Sequence, residues 1–176
     1  MAVSDKKAVL FIDVFNTFDF PGGDKLLENT KEILPNWEKL RNKAKENSWP
    51  VIYVNDHYGI WQDNFKKIAD HTRTDDNKEI IDKMMPSEDD YFLLKPKHSA
   101  FFQTSLPSLL KELDCERVIL AGVAGNICVI FSANDAHMRE FKLDVPRNCV
   151  ASNTKEENED ALRVIESTLN AQTDPI

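Results

Sequence analysis

The chain has 176 residues, 41% of them hydrophobic, and a formal net charge of −8. That length suits one domain built on one core. The acidic surface repels phosphate backbones, and no apolar run of about 18 residues is present, so neither nucleic acid nor a membrane is expected as a partner.

The cysteines, Cys115, Cys128 and Cys149, are odd in number and form no Cys-x-x-Cys pair, which disfavours a disulfide framework or a zinc knuckle. Residues 1–7 lack the long apolar region of a secretory signal. A reducing, cytoplasmic setting is expected.

Apolar runs alternate with helical patterns along the chain, the signature of βαβ units. The first strand is read over Lys7 to Val14, with a turn at Pro21-Gly22-Gly23. Asp24 is placed as the cap of a helix whose apolar face includes Leu26, Leu27, Ile33 and Leu34. Pro35 should kink or restart that helix, and Trp37, Leu40 and Ala44 continue its face. Val51 to Asn55 is the second strand, and Asp56 to Glu79 reads as a loop with short helical pieces. A helix over Lys78 to Met85 stops at Pro86, and the third strand is Tyr91 to Lys95.

Thr104 should cap a helix reaching Leu113. The fourth strand, Arg117 to Ala121, leads into a helix from about Asn126 to His137. A fifth strand is read over Phe141 to Val145 and a short sixth over Cys149 to Ala151. Thr154 and Glu157 have the spacing of a capping box for a last helix, Lys155 to Leu169. Right-handed crossovers make this a three-layer α/β/α sandwich, with a doubly wound, mainly parallel sheet of five or six strands in one domain over 1–176.

Three chemical groups fall at strand ends. Cys128 lies in Gly122-Val123-Ala124-Gly125-Asn126-Ile127-Cys128, at a strand-to-helix junction. A helix's positive end favours thiolate over thiol, and amides at its start can hold an oxyanion. Asp13 ends an apolar strand, where it fits a general base or a loop cap. Lys95 closes the third strand, and the pattern alone does not separate it from Lys97. The carboxyl ends of parallel strands converge on one crevice.

Phe15, Phe18, Tyr58 and Trp61 fall in loops after the first two strands, where they wall a pocket for a flat substrate, anchor loops or meet a subunit. Asp56 and His57 are adjacent, but their spacing to His71 and His98 matches no strong metal motif, and the histidines read as solvated loop residues. Cys115 and Cys149 read as packing thiols.

Together these segments resemble the isochorismatase-like cysteine hydrolase superfamily. The resemblance is carried by Asp13-Val14-Phe15-Asn16-Thr17-Phe18, by Lys95 with Ser99-Ala100-Phe101 and Thr104, by Gly122 to Val129, and by Ser132-Ala133-Asn134-Asp135-Ala136. Its register selects Lys95 over Lys97. It implies a Cys128-Asp13-Lys95 triad, an oxyanion hole from the amides of Ala124 and Cys128, and a cis peptide at Val123-Ala124. It further implies cleavage of a C–N bond in a small amide- or ureido-type substrate through a thioester. No cofactor or metal is expected, and the protein should be a homo-oligomer, a dimer or tetramer.

Three departures stand out. Gly125-Asn126 replaces the family's usual Thr-Asp, and glycine should loosen the oxyanion loop. Thr17 replaces an aspartate. Tyr58 occupies the place of a histidine that binds metal in nicotinamidases of the superfamily. The rival readings are an isochorismatase-type vinyl-ether hydrolase and a member of the fold that binds or senses redox state without catalysis.

Overall fold

β1 (Lys7–Ile12), β2 (Val51–Asp56), β3 (Tyr91–Lys95), β4 (Arg117–Val123), β5 (Lys142–Asp144) and β6 (Val150–Ala151) form one sheet in the computed structural model, which describes residues 5–176. The part of the leader reading that rests on residues 1–4 lies outside the described residues. The strand order is β3-β2-β1-β4-β5, with β6 pairing the end of β4, and every pairing is parallel.

Parallel neighbours require crossovers. These are supplied by α1 (Gly23–Glu46), α2 (Phe65–Thr72), α3 (Lys78–Met84), α4 (Leu106–Glu112) and α5 (Ile130–Met138), while α6 (Lys155–Ser167) follows the last strand and packs on the sheet. Among the described residues no helix is long and apolar enough to cross a membrane.

The alternation of β1 explains the three layers. Ala8, Leu10 and Ile12 face a cluster with Leu106 and Leu110 of α4, Ala133 and Ala136 of α5, and Leu162 and Ile165 of α6. Val9 and Phe11 face the other way, onto Leu34, Trp37 and Leu40 of α1 and Ile80, Ile81 and Met84 of α3. A strand covered on both sides must be apolar throughout, which is why Ala8 to Ile12 is an unbroken apolar run. Trp37 is fully buried, and its indole Nε1 donates to the Cys149 carbonyl at 2.8 Å, pinning α1 to the segment before β6. A buried indole needs such a partner.

Several boundaries differ from the sequence reading. α1 runs unbroken through Pro35. The proline and Lys31, whose carbonyl it leaves without an amide donor, are both exposed, so water can take the place of the lost bond. Asp24 is not the cap: Gly22, in the left-handed conformation, precedes the helix, and Asp24 sits in its first turn, where its charge suits the dipole. β1 stops at Ile12 because Asp13 has φ 51°. Thr104 is not the cap of α4: Ser105 precedes the helix, and Thr104, one residue earlier, accepts from the Leu106 amide at 3.3 Å. The turn after β4 is π-helical over Gly125–Val129 before α5 begins. The capping box of Thr154 and Glu157 is present in full.

The chain order reverses between β1 and β4. Connections from β1 wind outward through β2 to β3, whereas β4 lies on the opposite side of β1. The carboxyl ends of strands at such a point splay apart and leave a crevice.

Candidate active site

Asp13, Lys95 and Cys128 meet in that crevice. Asp13 follows β1, and its left-handed backbone turns the carboxylate inward. It is 6% exposed. Its Oδ1 accepts the Asp56 amide at 2.8 Å, and its Oδ2 accepts from Lys95 Nζ at 2.9 Å.

Lys95 lies at the end of β3, two strands from β1, a separation of about 10 Å across a sheet. Only a long side chain spans that gap. Lys95 is 2% exposed, and its ammonium has three partners: Asp13, the Lys97 carbonyl at 3.0 Å and Cys128 Sγ at 3.5 Å. All three of its protons are therefore directed. The structure resolves the choice between the lysines, since the Lys97 side chain is exposed and only its carbonyl enters the site.

Cys128 is the fourth residue of the π-helical turn, and the peptide bond Val123–Ala124 just before that turn is cis. Gly122, at φ 132°, lies where a Cβ would come within 2.1 Å of the Ile12 carbonyl, so β4 can approach β1 this closely only without a side chain.

The expectation of a resting thiolate is not met. Burial pushes the Cys128 thiol well above its ordinary value, and the Asp13 charge adds to that, while Lys95 pulls the other way. The sulfur is also not at the first amide of a regular helix, so the dipole acts at a distance. Burial is the largest influence on Lys95 and opposes its charge, but Asp13, Cys128 and Asp56 together, with the hydrogen bond to Asp13, offset it and hold the ammonium above its ordinary value. Burial and the Asp13 charge thus both favour the protonated thiol beside the buried Asp13–Lys95 salt bridge.

Sequence reasoning missed the side chains that brace this arrangement. Asn55, 1% exposed at the end of β2, bonds both the amide and the carbonyl of Phe15 at 3.1 and 2.9 Å and fixes the loop after Asp13. A lone amide ending the apolar run Val51-Ile52-Tyr53-Val54 was the available signal, since buried polar groups need partners. Ser132 of α5 donates to the Cys128 carbonyl at 2.6 Å and accepts from the Ala100 amide at 2.9 Å. Ser99 bonds Asp135 on the same helix. The two serine-containing segments are thus sewn together behind the thiol.

The aromatic wall needs correction. Phe15 is fully buried and packs on Tyr53 and Phe92, and Phe18 is 8% exposed in the same cluster; both are core, because the loop after β1 folds back over α1 and β2. Tyr58 is half-buried beside Asp13, and burial followed by the Asp13 charge pushes its phenol above the ordinary value. Trp61 is 64% exposed and stacks on His57 with centroids 3.7 Å apart. The Asp56 carboxylate accepts the Tyr58 amide, and His57 Nδ1 accepts the Gly59 amide, so both serve the loop. Among the described residues no group of three or more His, Cys, Asp or Glu side chains could hold a metal.

The isochorismatase domain model matches residues 7–174, nearly the whole chain. The chain belongs to the isochorismatase family. It is 48% identical over 166 residues to an uncharacterized isochorismatase family protein, YaaI, of Bacillus subtilis (strain 168), covering 94% of this chain and 92% of that one. Enterobactin synthase component B of Escherichia coli (strain K12) is 26% identical over 140 residues, or 77% of this chain; the match spans only about half, 49%, of that relative's length. Among solved structures, N-carbamoylsarcosine amidase from Thermoplasma acidophilum superposes with a TM-score of 0.73 at 25% identity, covering 97% of this chain and 96% of that one. The doubly wound parallel sheet is thus the fold of the isochorismatase family, with Asp13, Lys95 and Cys128 at its switch point.

Proposed function

We propose that the protein is a cysteine hydrolase that cleaves a C–N bond in a small amide- or ureido-type substrate. One observation carries this reading: a single buried ammonium, Lys95 Nζ, touches both the Asp13 carboxylate and the Cys128 sulfur. The likeness to an amidase over nearly the whole fold supports the bond type.

In this mechanism Asp13 takes the thiol proton as Cys128 Sγ attacks the carbonyl carbon. The thiol's raised titration means that the proton leaves during attack rather than before it. Negative charge gathers on the substrate oxygen, which the amides of Ala124 and Cys128 hold. The C–N bond then breaks, and the amine departs with the proton from Asp13. Water attacks the thioester, releasing a carboxylic acid and restoring the thiol. Lys95 keeps the net charge of the buried site near zero throughout and orients Asp13. In this reading Tyr58, beside Asp13, and Trp61, exposed in the same loop, would meet the substrate's flat face.

The cytoplasmic location read from the cysteines, and the homo-oligomer implied by resemblance, belong to the same reading; light scattering of the purified protein tests the second. The test of function is ammonia release across a panel of small amides and ureides, before and after alkylation of Cys128 by iodoacetamide. Release that stops on alkylation supports the proposal. Turnover that survives complete alkylation refutes it.

A further inference from the structure

The glycine at 125 does not loosen the nucleophile turn. It is buried, and a Cβ placed there would come within 2.5 Å of Asn158 Oδ1, 2.7 Å of Val150 Cγ1 and 2.9 Å of Ser152 Oγ. Real Cβ atoms essentially never make such contacts. The volume that a side chain at 125 would fill is already occupied by two polar side chains and the Val150 methyl.

The polar pair forms a chain of hydrogen bonds that ends on the turn. The Asn126 amide donates to Ser152 Oγ at 3.2 Å. The Ser152 hydroxyl donates to Asn158 Oδ1 at 2.9 Å, and Asn158 Nδ2 donates to the Val150 carbonyl at 3.2 Å. Ser152 is 1% exposed, so its hydroxyl has no competing water. The Ser152 carbonyl is held in turn by Asn29 Nδ2 of α1 at 2.9 Å. The bonds therefore run from α6 through the end of β6 to the amide two residues before Cys128, with α1 bracing the middle.

Residue 126 faces the same helix. It borders a groove with Glu157 and Asp160 of α6, where a carboxylate would add a third negative charge and an amide does not. The absent side chain at 125 thus matches what β6 and α6 present to the turn, whereas at 126 only the backbone amide is held and the Asn126 side-chain oxygen is buried without a hydrogen-bond partner among the described residues.

We infer that Ser152 and Asn158 are positioning residues for the nucleophile. They hold the turn carrying Cys128 in the place of a side chain at 125, so that the sulfur stays within reach of Lys95. The inference rests on the proposed hydrolysis for its catalytic meaning and on geometry alone for its effect on the thiol.

The test uses Ser152→Ala, which removes one oxygen, and Asn158→Ala. Each should lower kcat about tenfold with KM within twofold of wild type, since the nucleophile and not the substrate site is displaced. Each should also loosen the packing around Cys128, relieving the burial that raises the thiol and moving its titration down toward the ordinary thiol value. Iodoacetamide at pH 8 should then react at least fivefold faster. Gly125→Ala should lower kcat in the wild-type background and lower it by a smaller factor in Asn158→Ala, where the Cβ meets one obstacle fewer. Unchanged alkylation together with kcat within twofold in both single variants would overturn the inference, as would an equal effect of Gly125→Ala in both backgrounds. If no amide is turned over by the wild type, the alkylation arm still decides the positioning claim, while the hydrolysis reading fails separately.

Discussion

Asp13→Asn should separate two properties that are usually expected to move together, the reactivity of Cys128 and the activity of the enzyme. The replacement is isosteric, but one amide cannot offer an acceptor to both the Asp56 amide at 2.8 Å and the Lys95 ammonium at 2.9 Å. Lys95 then faces the sulfur at 3.5 Å with no carboxylate to neutralise it. At an effective dielectric of about 20, a full positive charge at that distance attracts a thiolate by about 5 kcal/mol. The negative charge that opposed ionisation has gone as well. The thiol should therefore titrate lower than in the wild type, and iodoacetamide at pH 7 should alkylate Cys128 at least tenfold faster. Hydrolysis should fall by about a hundredfold or more, because no base carries the proton to the leaving amine. Stopped alkylation time courses followed by intact mass give the first rate, and ammonia release gives the second; circular dichroism checks the fold. A folded variant whose Cys128 alkylates no faster than the wild type would refute the claim that the Asp13 charge adds to burial in holding the thiol protonated.

Two further outcomes follow from the same charges. Lys95→Met should abolish hydrolysis and destabilise the fold by about 3–5 kcal/mol in urea titration, because Asp13 is left buried without its counter-charge; Lys97→Met, which keeps the carbonyl that the site uses, should stay within twofold of wild-type activity. Stability should also fall above pH 9. The fold raises the Cys128 thiol from an ordinary 9.0 and raises Cys149 to about 12, in both cases chiefly by burial, so the unfolded chain releases protons that the folded one retains. Each thiol lowers stability by up to about 1.4 kcal/mol per pH unit over that window. Lys95, also raised, adds stability that is present below 10.5 and lost as pH climbs through its folded value. Urea midpoints that stay level from pH 8 to 10.5 would contradict this.

The sequence carried the fold in its apolar runs. Ala8 to Ile12 and Val118 to Ala121 are unbroken apolar stretches, and each forms a central strand of the parallel sheet because both of its faces are covered. It marked Asp13 and Cys128 as polar groups where apolar strands end, left Lys95 and Lys97 unseparated by pattern, and selected Lys95 only through the family resemblance. What it did not carry were consequences of tertiary contact. Local preference predicts a break at Pro35, yet the helix continues because that position meets solvent. Phe15 sits in a loop by sequence and in the core by packing. The thiol's protonation depends on burial and on a carboxylate 115 positions away in the chain numbering from Asp13 to Cys128, which no local pattern encodes. The hydrogen bonds from Asn158 through Ser152 to the Asn126 amide likewise span separate elements.

The most direct measurement is ammonia release by Cys128→Ala on an amide that the wild type hydrolyses, with the wild-type reaction quenched in acid for intact mass. The account predicts a loss of more than about a thousandfold in the variant, and in the wild type an adduct on Cys128 equal in mass to the substrate less its amine. Ammonia released by the alanine variant at the wild-type rate would contradict it.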